Sequence, residues 1–287
     1  MMNNFTFHSP TEFVFGKATE EQVGILLKKY GAHKVLIQYG GGSVMQSGLL
    51  PKVQKILEQE GIPYLLQGGV QPNPRSGLVY EGIDICKKEK VDFLLAVGGG
   101  SVIDSAKAIA AGALYDGDFW DFFTGKAQIE RALKIGVILT IPASGSEGSH
   151  RTIITHENGM LKRGAGNVFV RPTFSIINPE LTYTLPLKQT AAGIVDMMSH
   201  IFERYITKAQ NVELTNRLCE GTLLAIIDAA RVVMKNPFDY EARATLCWAG
   251  TIAHNGQLGV GRSEDWTTHN MEHELSGLYD VTHGAGL

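Results

Sequence analysis

The sequence predicts an α/β dinucleotide-binding domain followed by an all-α domain, and three observations carry that reading. Up to about residue 180, short apolar or β-branched runs alternate with longer amphipathic segments. Beyond residue 186 the segments become long, Ala-rich and helical in period, with no strand pattern between them. Glycine, 33 of 287 residues, collects straight after the runs that read as strands.

Taken in order, strands are predicted at residues 34–39, 93–97, 135–141 and 174–177, with helices at 47–59, 76–89 and 101–114 between them. This alternation is that of a mostly parallel sheet with crossover helices. Pro179 and Pro186 each discourage helix in the residue before them, so the boundary falls there: an α/β domain over 1–180 and a helical domain over 187–287. Helices follow at 187–207, 212–234 and 240–255.

Composition narrows the partners. With 26 Lys plus Arg against 29 Asp plus Glu, the net charge of −3 gives no sequence-wide attraction to nucleic acid or to an anionic membrane, and neither is expected. The N-terminus lacks the basic and apolar regions of a signal peptide, and no apolar run reaches the length of a membrane span. Cys86, Cys219 and Cys247 are far apart, outside any C-x-x-C pair, so neither a disulfide framework nor a thiolate metal site is indicated. The expectation is a cytoplasmic protein acting on small molecules and pairing with a second copy of itself as a homodimer.

Gly-Gly-Gly-Ser occurs twice, at Gly40, Gly41, Gly42, Ser43 and at Gly98, Gly99, Gly100, Ser101, each time between a predicted strand and a predicted helix. Glycines there let the backbone turn tightly and approach a ligand, while a helix start offers free N–H groups to phosphate. The second copy, running on to Asp104, is the stronger candidate for a dinucleotide pyrophosphate, with Ser101 expected to cap the helix as well. It is not a complete G-x-G-x-x-G, since Ile103 stands at the last position. Near the first copy no carboxylate follows the strand to bond a ribose 2′-hydroxyl or repel a 2′-phosphate, and backbone N–H groups with Ser43 are available to hold one, so NADP(H) is expected in preference to NAD(H). A third polar turn at 140–147 brings Thr140 and Ser144. Lys162 offers a cation to phosphate or ribose, although a lone surface lysine is more often simply solvated.

The second half carries a different chemistry. Asp196 and His200 are four apart in a helical, largely apolar segment and project from one face, where a carboxylate and an imidazole are costly unless paired or metal-bound. His269, His273 and His283 lie within fifteen residues near the end. Three imidazoles and one carboxylate suit one divalent ion such as Fe²⁺ or Zn²⁺ and leave room for a substrate oxygen. His8, His33, His150, His156 and His254 have no such spacing and read as ordinary core or surface residues.

The G-G-G-S-x-x-D turn at 98–104, T-x-P-A-S-G-S-E at 140–147, N-P-E-L-T at 178–182, D-M-M-S-H at 196–200, G-x-x-x-D-W-x-T-H-x-x-x-H-E-L at 261–275 and T-H-G-A-G-L at 282–287 together resemble the iron-containing (group III) alcohol dehydrogenases, in their butanol dehydrogenase branch. The resemblance runs from residue 11 to residue 287. It implies a dehydroquinate-synthase-like fold and hydride transfer between nicotinamide and a primary alcohol or aldehyde such as butanol or butanal. It implies that Asp196, His200, His269 and His283 ligate the metal while His273 relays a proton. It also implies a dinucleotide on the Gly98 loop with contacts from Thr140, Ser144, Leu181 and Thr182; Asn73 and Lys162 complete the cofactor-binding candidates. Family members continue past the last histidine with further helices, so the chain is expected to be C-terminally truncated. Two rivals follow: a dehydroquinate-synthase-like lyase, disfavoured by the scarcity of basic residues near the histidines, and an inactive truncated binding protein.

Overall fold

In the computed structural model, which describes residues 2–287, the chain divides into two compact units. One comprises Thr11–Thr140 and His150–Asn178; the other comprises the N-terminal segment up to Pro10, Ile141–Ser149 and Pro179–Leu287.

The strands of the first unit are β1 (Glu12–Phe15), β2 (Val35–Tyr39), β3 (Tyr64–Gln67), β4 (Phe93–Gly98), β5 (Lys134–Leu139), β6 (Arg151–His156), β7 (Leu161–Gly166) and β8 (Phe174–Ile177). Its helices are α1 (Val23–Lys29), α2 (Ser43–Gln46), α3 (Leu49–Gln59), α4 (Ser76–Glu89), α5 (Gly100–Gly112) and α6 (Asp121–Thr124). Six strands form one parallel sheet in the order β1-β8-β5-β4-β2-β3, and β6 pairs antiparallel with β7 as a separate hairpin. The central strand β4 is buried at every residue, which explains its unbroken run Phe-Leu-Leu-Ala-Val: a strand covered on both faces has no need of alternation. Helix α5 is buried over nearly its whole surface and packs on α4, where the absent side chain of Gly82 makes room for Ile109.

The strands at 34–39, 93–97, 135–141 and 174–177 are present with ends shifted by no more than two residues. Strands β1 and β3 and the β6–β7 hairpin were not expected. The first two are four residues long, and β7 reads Leu-Lys-Arg-Gly-Ala-Gly, which lacks any apolar alternation. Ser101 does not cap α5. The helix begins one residue earlier, at Gly100, behind an extended Gly99 whose carbonyl accepts from Val102 and Ile103, so Ser101 lies inside the first turn.

The second unit is helical: α7 (Leu187–Tyr205), α8 (Glu213–Val233), α9 (Tyr240–His254), α10 (Thr267–Tyr279) and α11 (His283–Gly286), with no strand among its described residues. Met197 and Ile201 of α7 share a core with Cys219 and Ile226 of α8 and Leu246 and Ala253 of α9. Among the described residues, no helix is long and apolar enough to cross a membrane. The three cysteines are buried and unbridged, and burial pushes the Cys86 and Cys247 thiols up to about 12, which keeps them protonated and unreactive.

Candidate metal centre

Helix α7 presents Asp196 and His200 one turn apart, both buried. The His200 Nδ1–H donates to the Asp196 carbonyl at 2.8 Å, which leaves Nε2 as the free ring nitrogen. Helix α10 supplies buried His269, whose Nδ1 is engaged by Glu203 of α7. The chain then reverses at Asp280, in the left-handed region at φ 54°, and returns as α11, which opens with His283. Gly284 allows that return: a Cβ there would overlap the Ala192 carbonyl, so α11 lies backbone-close against α7. Glu272 engages His283 Nδ1 just as Glu203 engages that of His269.

The consequence is convergence. His269 Nε2 and His283 Nε2 lie 3.8 and 3.7 Å from the same oxygen, Asp196 Oδ1. One ligating atom from each of Asp196, His200 and His269 lies within 4.8 Å of the others, the arrangement of atoms around a common ion. Burial would raise the Asp196 carboxyl, yet the neighbouring His200 and His283 hold it well below the usual carboxylate range, so it is anionic. Burial lowers His200, against the pull of the Asp196 carboxylate.

These donors fit a divalent cation on the structure's own terms. Asp196 Oδ1 and His269 Nε2 are buried without a hydrogen-bond partner, a costly state for both unless a cation fills it. One hard carboxylate oxygen among borderline imidazole nitrogens is a donor set suited to iron or zinc. Engaging each far ring nitrogen is how metal-ligating histidines are normally oriented. His273, half-buried on α10, lies beside this set, its ring centroid 5.6 Å from that of His283.

Several residues here escaped the sequence reading. Glu203 stands at i+7 from Asp196 on the α7 face already identified, a signal masked by the frequency of glutamate on helices. His254, the last residue of α9, was read as ordinary; its ring packs 4.4 Å from His200 and 5.7 Å from Trp266, centroid to centroid. Buried Arg204 binds Glu264 at 2.9 Å and the His200 carbonyl at 2.7 Å, and its guanidinium lies 4.5 Å over the Trp266 ring. Nothing local in the sequence connects these positions.

The dinucleotide candidates fall in both units. In the sheet unit the two glycine turns close adjacent strands, Gly40–Gly42 after β2 and Gly98–Gly100 from the last residue of β4 to the first of α5, and the Thr140 N–H donates to the Gly98 carbonyl at 3.1 Å. Ser43 opens α2. Lys162 is buried rather than solvated, its Nζ donating to Asn73 Oδ1 at 3.0 Å, so two separately chosen candidates meet. Asp104 accepts from the Ile153 N–H at 3.0 Å and so fastens the hairpin to α5. Ser144, Leu181 and Thr182 belong to the helical unit, where Ser144 Oγ accepts from the Ser146 N–H at 3.3 Å and Thr182 Oγ1 donates to the Pro179 carbonyl at 2.7 Å.

Comparison with known proteins agrees with this geometry. A family model described as iron-containing alcohol dehydrogenase matches residues 10–179, and the C-terminal model of the Fe-containing alcohol dehydrogenase family matches residues 190–287. A probable NADH-dependent butanol dehydrogenase of Bacillus subtilis is 46% identical over 286 residues, covering 100% of this chain and 73% of that protein. The crystal structure of an NADH-dependent butanol dehydrogenase from Thermotoga maritima superposes with a TM-score of 0.97 at 47% identity, covering 99% of this chain and 72% of that one.

One expectation is overturned. NADP(H) was expected over NAD(H), but four relatives 43–46% identical are named for NADH dependence, whereas an Escherichia coli aldehyde reductase named for NADPH is 39% identical, covering 100% of this chain and 74% of that protein. The physical reason is that a missing carboxylate near Gly40 removes a repulsion, while Ser43 and the backbone N–H groups are neutral and supply no cation. No Lys or Arg stands between Lys34 and Lys52 to pair with a 2′-phosphate from that stretch.

Proposed function

The chain belongs to the iron-containing alcohol dehydrogenase family, and from that premise we propose how its residues divide the reaction. It is a metal-binding, NAD(P)-linked alcohol dehydrogenase and aldehyde reductase acting on alcohols such as butanol. Hydride passes between nicotinamide and the carbon that bears the substrate oxygen, and the relatives' names support NADH as the donor.

Asp196, His200, His269 and His283 would hold one divalent cation, iron or zinc. When bound, it supplies Lewis-acid polarisation of the substrate oxygen. The observation that carries the assignment is the approach of two imidazole Nε2 atoms to Asp196 Oδ1 while a carboxylate engages Nδ1 of each. His273, beside His283, carries the alcohol proton to or from solvent.

The N–H groups at the start of α5, after Gly98 and Gly99, face phosphate with the positive end of a thirteen-residue helix. Within the sheet unit Gly40–Ser43 and Thr140 contribute further dinucleotide contacts, with Lys162 held in place by Asn73, and within the helical unit Ser144, Leu181 and Thr182 are the candidates. A parallel sheet in one unit and an all-helical second unit support a dehydroquinate-synthase-like fold class. Three buried, unbridged thiols support a reducing, cytoplasmic setting.

The test is an anaerobic assay of butanal reduction with NADH and with NADPH, alongside metal analysis. NADH oxidation should require bound metal, stop on chelation and return with Fe²⁺ or Zn²⁺. Turnover that ignores chelation would overturn the metal assignment.

A further inference from the structure

Glu203 occupies the α7 face of Asp196 and His200, at i, i+4, i+7 spacing, and is buried. It meets the start of α10 at four points. Its carbonyl accepts from the Asp265 N–H at 2.9 Å. Its Oε1 accepts from the Thr268 N–H at 2.6 Å and the His269 N–H at 3.2 Å. Its Oε2 engages His269 Nδ1. Trp266, which precedes α10, provides no side-chain cap; Asp265 takes the Thr267 N–H, and the next two amides, those of Thr268 and His269, are satisfied by a glutamate from a neighbouring helix. A carboxylate at that position also meets the positive end of the helix dipole.

We propose that Glu203 is a positioning residue for the metal. It fixes both the register of α10 against α7 and the tautomer of His269, so that affinity for a divalent cation depends on a residue that is not itself a ligand. This inference rests on the metal reading above. Its basis is the division of the carboxylate: one oxygen serves the backbone of the helix start, the other the imidazole. A pure helix cap needs only the first, and a pure histidine partner only the second. Joining both in one buried side chain couples the ligand pair of α7 to the ligand of α10.

Glutamine cannot reproduce this, because its amide offers one acceptor oxygen and turns an NH₂ group toward N–H donors on the other side. Asp265 provides the contrast. Its Oδ1 accepts from the Thr267 N–H at 3.0 Å and touches no histidine, so Asp265→Ala weakens the helix start alone.

The experiment uses the full chain with Zn²⁺ alone as the probe, by competition against a chromophoric chelator. Thermal melts and NADH fluorescence titration are run alongside. Glu203→Gln should weaken Zn²⁺ binding about tenfold and Glu203→Ala about a hundredfold. NADH affinity should stay within about twofold in both, because the substitutions change a ligand's orientation and not the sheet. Asp265→Ala should lower the melting midpoint while holding Zn²⁺ affinity within about twofold. Wild-type Zn²⁺ affinity in either folded Glu203 variant would overturn the proposal, as would an equal loss in Asp265→Ala. Failure of the unsubstituted chain to bind Zn²⁺ would overturn the metal reading itself, and this inference with it.

Discussion

His254 packs its imidazole edge-on against His200, with ring centroids 4.4 Å apart and planes at 74°, while its Nδ1 lies 3.2 Å from Arg204 Nη2. A side chain from the end of α9 therefore backs a metal-ligand candidate on α7. His254→Ala removes that backing and a partner of a buried guanidinium. The expected cost is about 1–3 kcal/mol, read from urea midpoints. A variant as stable as the parent would show that the ring contact is incidental.

His273 is assigned to proton transfer rather than to the metal. His273→Ala should lower kcat for butanal reduction by about 10²–10⁴ while retaining the parent's metal content. Loss of metal together with activity would instead make it a ligand, and unchanged kcat would remove its role.

Gly82 is a packing position. A Cβ there would sit 2.7 Å from Gln67 Oε1 and overlap the tip of buried Ile109. Alanine improves helix propensity by about 1 kcal/mol, but overpacking a filled interior costs about 1–3 kcal/mol. Gly82→Ala should therefore be no more stable than the parent and as much as about 2 kcal/mol less so. A rise in the melting midpoint would contradict that.

Glu20 links stability to pH. Burial raises its carboxyl, but hydrogen bonds from Lys52 and Asn178, each 2.8 Å, outweigh that and hold it below its ordinary value of 4.5. The folded form thus binds its proton less readily than the unfolded form. The stabilisation is present above the unfolded value and is lost as pH falls through the lower folded one. Glu20→Gln should be less stable than the parent at pH 7 by about 1 kcal/mol, with the two converging on acidification. Parallel pH profiles would refute the linkage.

The sequence was most informative where a local rule and a function coincide. Asp196 and His200 stand one helical turn apart, and the glycine turns follow β2 and β4, so spacing alone marked both. It failed where the determinant is tertiary. His254 has no spacing in the sequence to mark it, because the rings it packs against come from α7 and from the segment before α10. Lys162 and Asn73 are both cofactor-binding candidates in the sequence, but nothing there announces that they meet, because the contact spans 89 residues. The NADP(H) expectation failed differently, by letting Ser43 and the backbone N–H groups of the first glycine turn stand for a cation that the stretch does not contain.

Helix α11 is only four residues long, too short to hold its own conformation, and it returns to α7 through Gly284 and through His283 aimed at Asp196. A cation shared by those two residues would act as a staple between distant stretches of chain. Occupancy would then govern more than turnover. The segment from Asp280 to Leu287 should resist protease when the ion is bound and become susceptible when it is stripped.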